Sequence, residues 1–215
     1  INNRFDLLLH VTPTNAQAAW KEFERANYAS PPEFLYRPRS IDPNLMKREL
    51  FAIPIERIED PTLAHIFSQK REELDRQLTL IADRNTNRFL LGSRQLFGDV
   101  DVELLELAEQ MLGMEAETGH SNSDAGYLSA GEFADRARQE IEYYRKQDAA
   151  LPAQVELRDD VPGIMVSRGN FLVGTDAMVP RARVNATLAH EIGTHVLTHY
   201  NGSQQPFREL YAGMA

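Results

Sequence analysis

The chain has 215 residues, 42% of them hydrophobic, enough for one sizeable core with room for a smaller lobe. A formal net charge of -9 argues against nucleic-acid backbones and anionic membranes as partners, and the absence of cysteine excludes disulfides and thiolate metal sites. No apolar run approaches the ~18 to 20 residues of a membrane span, and no signal peptide is evident, so a cytoplasmic protein is expected.

The first two thirds of the chain read as helices. Thr14 or Asn15 can cap a helix carrying Ala18, Ala19, Trp20 and Phe23, after which Pro31-Pro32 forces an extended passage. Asp42-Pro43 starts a short helix through Leu45, Met46 and Leu50. Asp60-Pro61 is a stronger start signal, a capping residue followed by proline at the first helical position. Beyond it, Leu63, Ile66, Phe67, Lys70, Leu74, Leu78 and Ile81 form one stripe, with Arg71, Glu72, Asp75 and Arg76 opposite. Asn85-Thr86-Asn87 breaks this helix, a second runs from Phe89 to Phe97 and stops at Gly98, and a third carries Leu104, Leu107, Ala108 and Met111 to Gly113. These apolar stripes are expected to be core. Residues 115–126 read as a loop, and Ser129 with Glu132 has capping-box spacing for a helix to about Lys146.

The character changes after Pro152. Val155-Glu156-Leu157 alternates, and two apolar runs, Ile164 to Ser167 and Phe171 to Val173, flank a turn at Arg168-Gly169-Asn170. Pro180 then precedes a helix reaching Tyr200, stopped by Asn201-Gly202. The expected fold is therefore α+β and mainly helical. A helical lobe over residues 1–150 leads into a small antiparallel sheet and one special helix over residues 151–215. The chain opens at Ile1 without a methionine and closes at Ala215 inside a segment (Phe207, Leu210, Tyr211, Met214) that reads as helix, so it is expected to be part of a longer polypeptide.

That special helix reads His190-Glu191-Ile192-Gly193-Thr194-His195, with His199 one turn on. Zinc takes neutral imidazoles readily, and a catalytic site needs three protein ligands plus a water. A glutamate beside the first histidine can take that water's proton and later deliver it to a leaving amine. The familiar metallopeptidase spacing puts the histidines four apart, on one helical face. Here they are five apart, roughly 140° of rotation on an ideal α-helix. A π-type bulge repairs this by bringing positions i and i+5 towards one face, and Gly193 lies where a distorted backbone costs least. The competing reading is an ordinary helix with partly buried histidines bonded to their neighbours. His199 shares a face with His195 but sits opposite His190, so it reads as a surface or supporting residue ahead of a ligand. His10, His65 and His120 are isolated and read as structural or solvated. The strand from Gly163 to Ser167 is the candidate edge for holding a peptide by strand addition.

The segment from His190 to Gly202, followed by Gln205-Pro206, resembles the bacterial family named for its Gln-Glu-Gly-Leu-Ala motif. Its members are labelled flavohaemoglobin expression-modulating proteins and are related to the microtubule-associated tyrosine carboxypeptidases. Leu50 to Ile55, Ile58 to Pro61, Lys70 with Glu73-Leu74, and Phe97-Gly98 carry the resemblance through the N-terminal half. It implies a zinc carboxypeptidase-like fold, with His190 and His195 as metal ligands and Glu191 as the catalytic base. The family's third ligand is the glutamate of the naming motif, which is absent here and expected downstream of residue 215. One Zn²⁺ is therefore expected on the longer chain and weak or no binding on residues 1–215.

The expected function is zinc-dependent hydrolysis of a peptide bond, by Glu191-assisted attack of zinc-bound water, at the C-terminus of a peptide or protein. The alternative is a regulatory or binding protein that retains a metal site without peptidase activity. Glu191 discriminates them, since a purely structural site has no need of a general base beside a ligand.

Overall fold

The computed structural model describes residues 4–118 and 126–207. Six helices come first: α1 (Leu7–Val11), α2 (Ala16–Arg25), α3 (Pro43–Phe51), α4 (Pro61–Ala82), α5 (Phe89–Phe97) and α6 (Val102–Thr118). Strand β1 (Tyr127–Ser129) leads into α7 (Ala130–Arg145), followed by β2 (Val155–Arg158), β3 (Ile164–Ser167), β4 (Asn170–Gly174) and β5 (Met178–Pro180). A 3₁₀ turn (Arg181–Arg183) then opens a last helix of three parts. These are α8 (Val184–His190), a π segment (Glu191–Val196) and α9 (Leu197–Ser203). The architecture is α+β and mainly helical, as the sequence implies.

The capping signals act where the residues place them. Asp42 accepts hydrogen bonds from the Asn44 and Leu45 amides ahead of α3, and Asp60 accepts one from Leu63 ahead of α4. Ser129 and Glu132 close the reciprocal capping box that starts α7. Asn15 precedes α2 but caps nothing. Its side chain instead bonds Glu33 O and Leu35 N, at 2.9 and 2.8 Å, pinning the extended passage after Pro31-Pro32. The second half of the α4 stripe is core: Leu74, Leu78 and Ile81 are buried with Phe5, Met46 and Leu50, against Leu7 and Val11 of α1, whereas Leu63, Ile66 and Phe67 are only half-buried.

Helix α6 departs from expectation twice. It continues beyond Gly113 to Thr118, across residues read as loop. Its apolar residues are also not core: Leu104, Leu107, Met111 and Leu112 are 53 to 68% exposed. The period of an amphipathic helix says which side is apolar, but not that anything among the described residues covers it. The rest of the expected loop, His120, and the expected helix over Leu210 to Met214 lie outside the described residues.

The strands form two small sheets. β1 pairs with β5 antiparallel, a pairing with no local signal because the partners are far apart in sequence. The other sheet has the order β2-β4-β3. β3 and β4 are the expected antiparallel hairpin, with Ser167 opposite Asn170 and Ile164 opposite Val173. Asn170 belongs to the strand, so the turn is only Arg168 and Gly169, both at positive φ (50° and 77°) as a type I′ turn requires. β2 runs parallel to β4, so this sheet is mixed rather than purely antiparallel. Alternation of side chains reveals which face is buried but not strand direction.

A second core lies between this sheet, α7 and the last helix. Phe133, Ala137 and Ile141 of α7 meet Phe171 and Val173 of β4. Leu188, Ile192, Val196 and Tyr200 close it from the last helix. Polar contacts also join the sheet region to the N-terminal segment. Arg37 Nε donates to Asp160 Oδ2 at 2.7 Å while its Nη1 bonds Leu9 O, and the Ser167 hydroxyl donates to the Asp6 carboxylate.

Candidate metal centre

The last helix has to serve two faces at once. Leu188, Ile192, Val196 and Tyr200, each four apart, are buried in the second core. Burying side chains such as Ile192 and Val196 contributes about 1.5–3 kcal/mol each, so this face fixes how the helix lies. The end of the helix is tied down separately. The Tyr200 hydroxyl donates to Asp148 at 2.6 Å, and Ser203 Oγ donates to Tyr200 O at 2.7 Å. These anchors carry the helix through the expected stop at Asn201-Gly202 to Ser203, three residues past its expected end at Tyr200.

On the opposite face the backbone widens at the expected place. Residues Glu191–Val196 form a π segment, and the Leu197 amide donates to Ile192 O, five residues back. One extra residue in the turn leaves a carbonyl without its usual α-helical donor. Thr194 Oγ1 reaches Ala189 O at 3.5 Å and approaches that need. Gly193 sits in the middle of the segment, half-buried under α7. A Cβ there would lie 3.4 Å from the Tyr144 hydroxyl, an ordinary contact distance.

The widened turn brings the two imidazoles together. His190 Nε2 and His195 Nε2 are 3.1 Å apart, with ring centroids separated by 4.8 Å and planes at 84°. One ligand atom from each of His190, Glu191 and His195 falls within a group spanning 4.8 Å. The histidines are exposed and Glu191 is half-buried. The chemistry of this donor set fits zinc. With Zn–N bonds of 2.0–2.1 Å, two nitrogens of a tetrahedral site stand about 3.4 Å apart. Two imidazole nitrogens facing each other at this distance also need a proton or a cation between them, because two lone pairs repel. Among the described residues, no further histidine, aspartate or glutamate joins the group.

The remaining histidines are elsewhere. His10 is buried in α1, between Asp6 O and Ser40 Oγ, and His65 is exposed on α4. His199 lies one turn beyond His195, against the β3–β4 turn and outside the metal group. Burial lowers its pKa below the usual histidine value. The sequence favours a surface or supporting role for His199 but cannot name the turn it touches, which is close only in space.

A cleft of about 350 Å³ runs along this face. Glu191, His195, Thr198 and His199 line it on one side, and Ile164, Met165 and Val166 of β3 on the other. β3 is an edge strand. In a two-residue hairpin, Ser167 and Met165 turn their backbone groups towards β4, and the Gly174 amide donates to Gly163 O in the same register. The amides and carbonyls of Ile164 and Val166 therefore point outward from the sheet. The candidate substrate edge over Gly163 to Ser167 thus borders the same cleft as Glu191 and His195.

The chain matches the family model described as microtubule-associated tyrosine carboxypeptidase over residues 21–215. Neither a curated protein nor a solved structure matches it. The chain belongs to the microtubule-associated tyrosine carboxypeptidase family.

Proposed function

We propose that this chain carries the metal group and substrate edge of a zinc carboxypeptidase that removes the last residue of a peptide or protein. The observation that carries the reading is the π segment, which sets His190 and His195 Nε2 3.1 Å apart with Glu191 beside them. Membership in a family named for a carboxypeptidase supports it independently. His190 and His195 would hold the ion as neutral imidazoles. A catalytic zinc needs one more protein ligand. We assign it to the downstream glutamate that the resemblance to the Gln-Glu-Gly-Leu-Ala family implies.

Zinc held there supplies a Lewis acid that polarises the scissile carbonyl and makes water more acidic. The chain's own residues do the rest. Glu191 accepts the proton of the attacking water and returns it to the leaving amine nitrogen, one carboxylate acting as base and then as acid. The outward backbone groups of Ile164 and Val166 pair with the substrate backbone, adding it to the sheet as a further strand. Main-chain pairing of this kind holds a peptide without reading its side chains, so residue preference comes from the cleft walls.

The test is a pair of peptides ending in tyrosine, one with a free carboxylate and one amidated, incubated with the full natural polypeptide and followed by mass spectrometry. Loss of a single residue from the free peptide, abolished by a zinc chelator, is expected. Equal cleavage of both peptides, or cleavage at internal bonds, would contradict a carboxypeptidase.

A further inference from the structure

The turn of the β3–β4 hairpin lies directly on the ring of His199. An ideal Cβ built on Gly169 would stand 2.5 Å from His199 Nδ1 and 3.1 Å from its Cε1 and Cγ, so no side chain fits between turn and ring. Gly169 is buried and has φ 77°, which gives the turn two separate reasons to hold glycine. His199 stands on α9, one turn after His195, and lines the same cleft. Beyond the turn, the hairpin is tied by the Ser167 hydroxyl to Asp6. At its open end the Gly174 amide bonds Gly163 O at 2.6 Å, and a side chain on Gly174 would collide with the Val161 carbonyl. The edge strand is thus held at both ends; Ile164 and Val166 pack on the core that Ile192 and Val196 share, and His199 adds a contact from the last helix at the turn itself.

We propose that His199 is a positioning residue rather than a metal ligand: its ring fixes the height of the β3–β4 turn above the last helix, and so sets where the Ile164 and Val166 backbone groups lie relative to His190, Glu191 and His195. The consequence for substrate rests on the peptidase reading given above. A peptide added to β3 takes its register from this strand, so a displaced strand carries the scissile bond away from Glu191. Misplacement on the scale of 1 Å costs up to about a hundredfold in such geometries. A flat ring is what fills the space under the turn.

The experiment compares His199→Ala with His199→Phe, which keeps a flat ring and has no ligand nitrogen. His199→Ala is expected to speed hydrogen exchange at the Met165 and Leu172 amides, which pair across the hairpin, while zinc content stays at the wild-type level. On a cleaved peptide it lowers kcat/KM by up to about a hundredfold, with kcat falling too, because the scissile bond no longer lies beside Glu191. His199→Phe restores exchange and kcat/KM towards wild type. Should His199→Ala fail to fold, Gly169→Ala pushes turn and ring apart from the other side and is expected to give the same exchange pattern. Loss of zinc in both His199 variants would make His199 a ligand and overturn the proposal. Unchanged exchange in His199→Ala and Gly169→Ala would overturn it too. If the wild type cleaves no peptide, the peptidase reading fails alone, and the exchange comparison still decides the role of His199.

Discussion

Helix α4 and the helix from Val184 to Ser203 are of similar length and solve different problems. α4 is capped by Asp60, begins on Pro61, and keeps an α-helical hydrogen-bond pattern through Ala82. Its buried residues Leu74, Leu78 and Ile81 face one core, and its polar face has only solvent and ion pairs to satisfy. The last helix has no side-chain cap and gives up α-geometry in the middle. It buries Leu188, Ile192, Val196 and Tyr200 on one side and presents His190, Glu191 and His195 on the other. An α-helix with histidines five apart would turn them roughly 140° from each other. The widened turn joins the two imidazoles while the core residues keep their four-residue spacing. Regular backbone therefore marks the helix that only packs, and irregular backbone marks the helix that also assembles a group.

The contrast can be broken most forcefully at Glu191. Glu191→Gln is expected to lower peptide turnover by about 10²- to 10⁴-fold with zinc content unchanged, since glutamine keeps the shape and loses the basic oxygen. Steady-state kinetics beside metal analysis measure both. Full turnover by the variant would remove Glu191 from the chemistry. The opposite pattern belongs to α4. Leu78→Ala should cost about 2–5 kcal/mol in denaturant unfolding, as buried leucines do, while the folded protein keeps its zinc affinity.

A finer cut tests the widened turn itself. Gly193→Val resists the distortion and is expected to weaken zinc about tenfold, equivalent to ~1.4 kcal/mol. Valine would also press on the Tyr144 hydroxyl, which lies 3.4 Å from the Cβ position. Tyr144→Phe in the same background separates the two causes. Recovery of zinc affinity would assign the loss to crowding, and no recovery assigns it to backbone geometry. The smallest expected effect is at the cap of α4. Asp60→Ala should lower stability by about 1 kcal/mol through the lost bond to the Leu63 amide, with no change at the metal group.

The two helices also show what could be read before the fold was known. Both were legible because their signals are local: Asp60-Pro61 for α4, and for the last helix two histidines five apart with Gly193 between them. The same holds for the Ser129–Glu132 capping box and the Arg168-Gly169 turn. What was not legible depends on contacts between distant residues. The apolar side of α6 was visible in the sequence, yet Leu104, Leu107 and Met111 are exposed, because periodicity does not name a partner. The β1–β5 pair joins three-residue strands across α7 and the whole β2–β4 sheet, and the parallel run of β2 beside β4 leaves no mark in side-chain alternation. Likewise, nothing in the spacing of His199 announced that Gly169 would rest on its ring.

Zinc-edge X-ray absorption on the full natural polypeptide tests most directly whether the two imidazoles share one ion across the π turn. Wild-type protein is expected to hold about one zinc with two imidazole ligands at 2.0–2.1 Å. His190→Ala and His195→Ala should each lose most of the metal, while His199→Ala retains it. Stoichiometric zinc in a protein lacking both His190 and His195, or a zinc spectrum without imidazole ligands, would contradict the account.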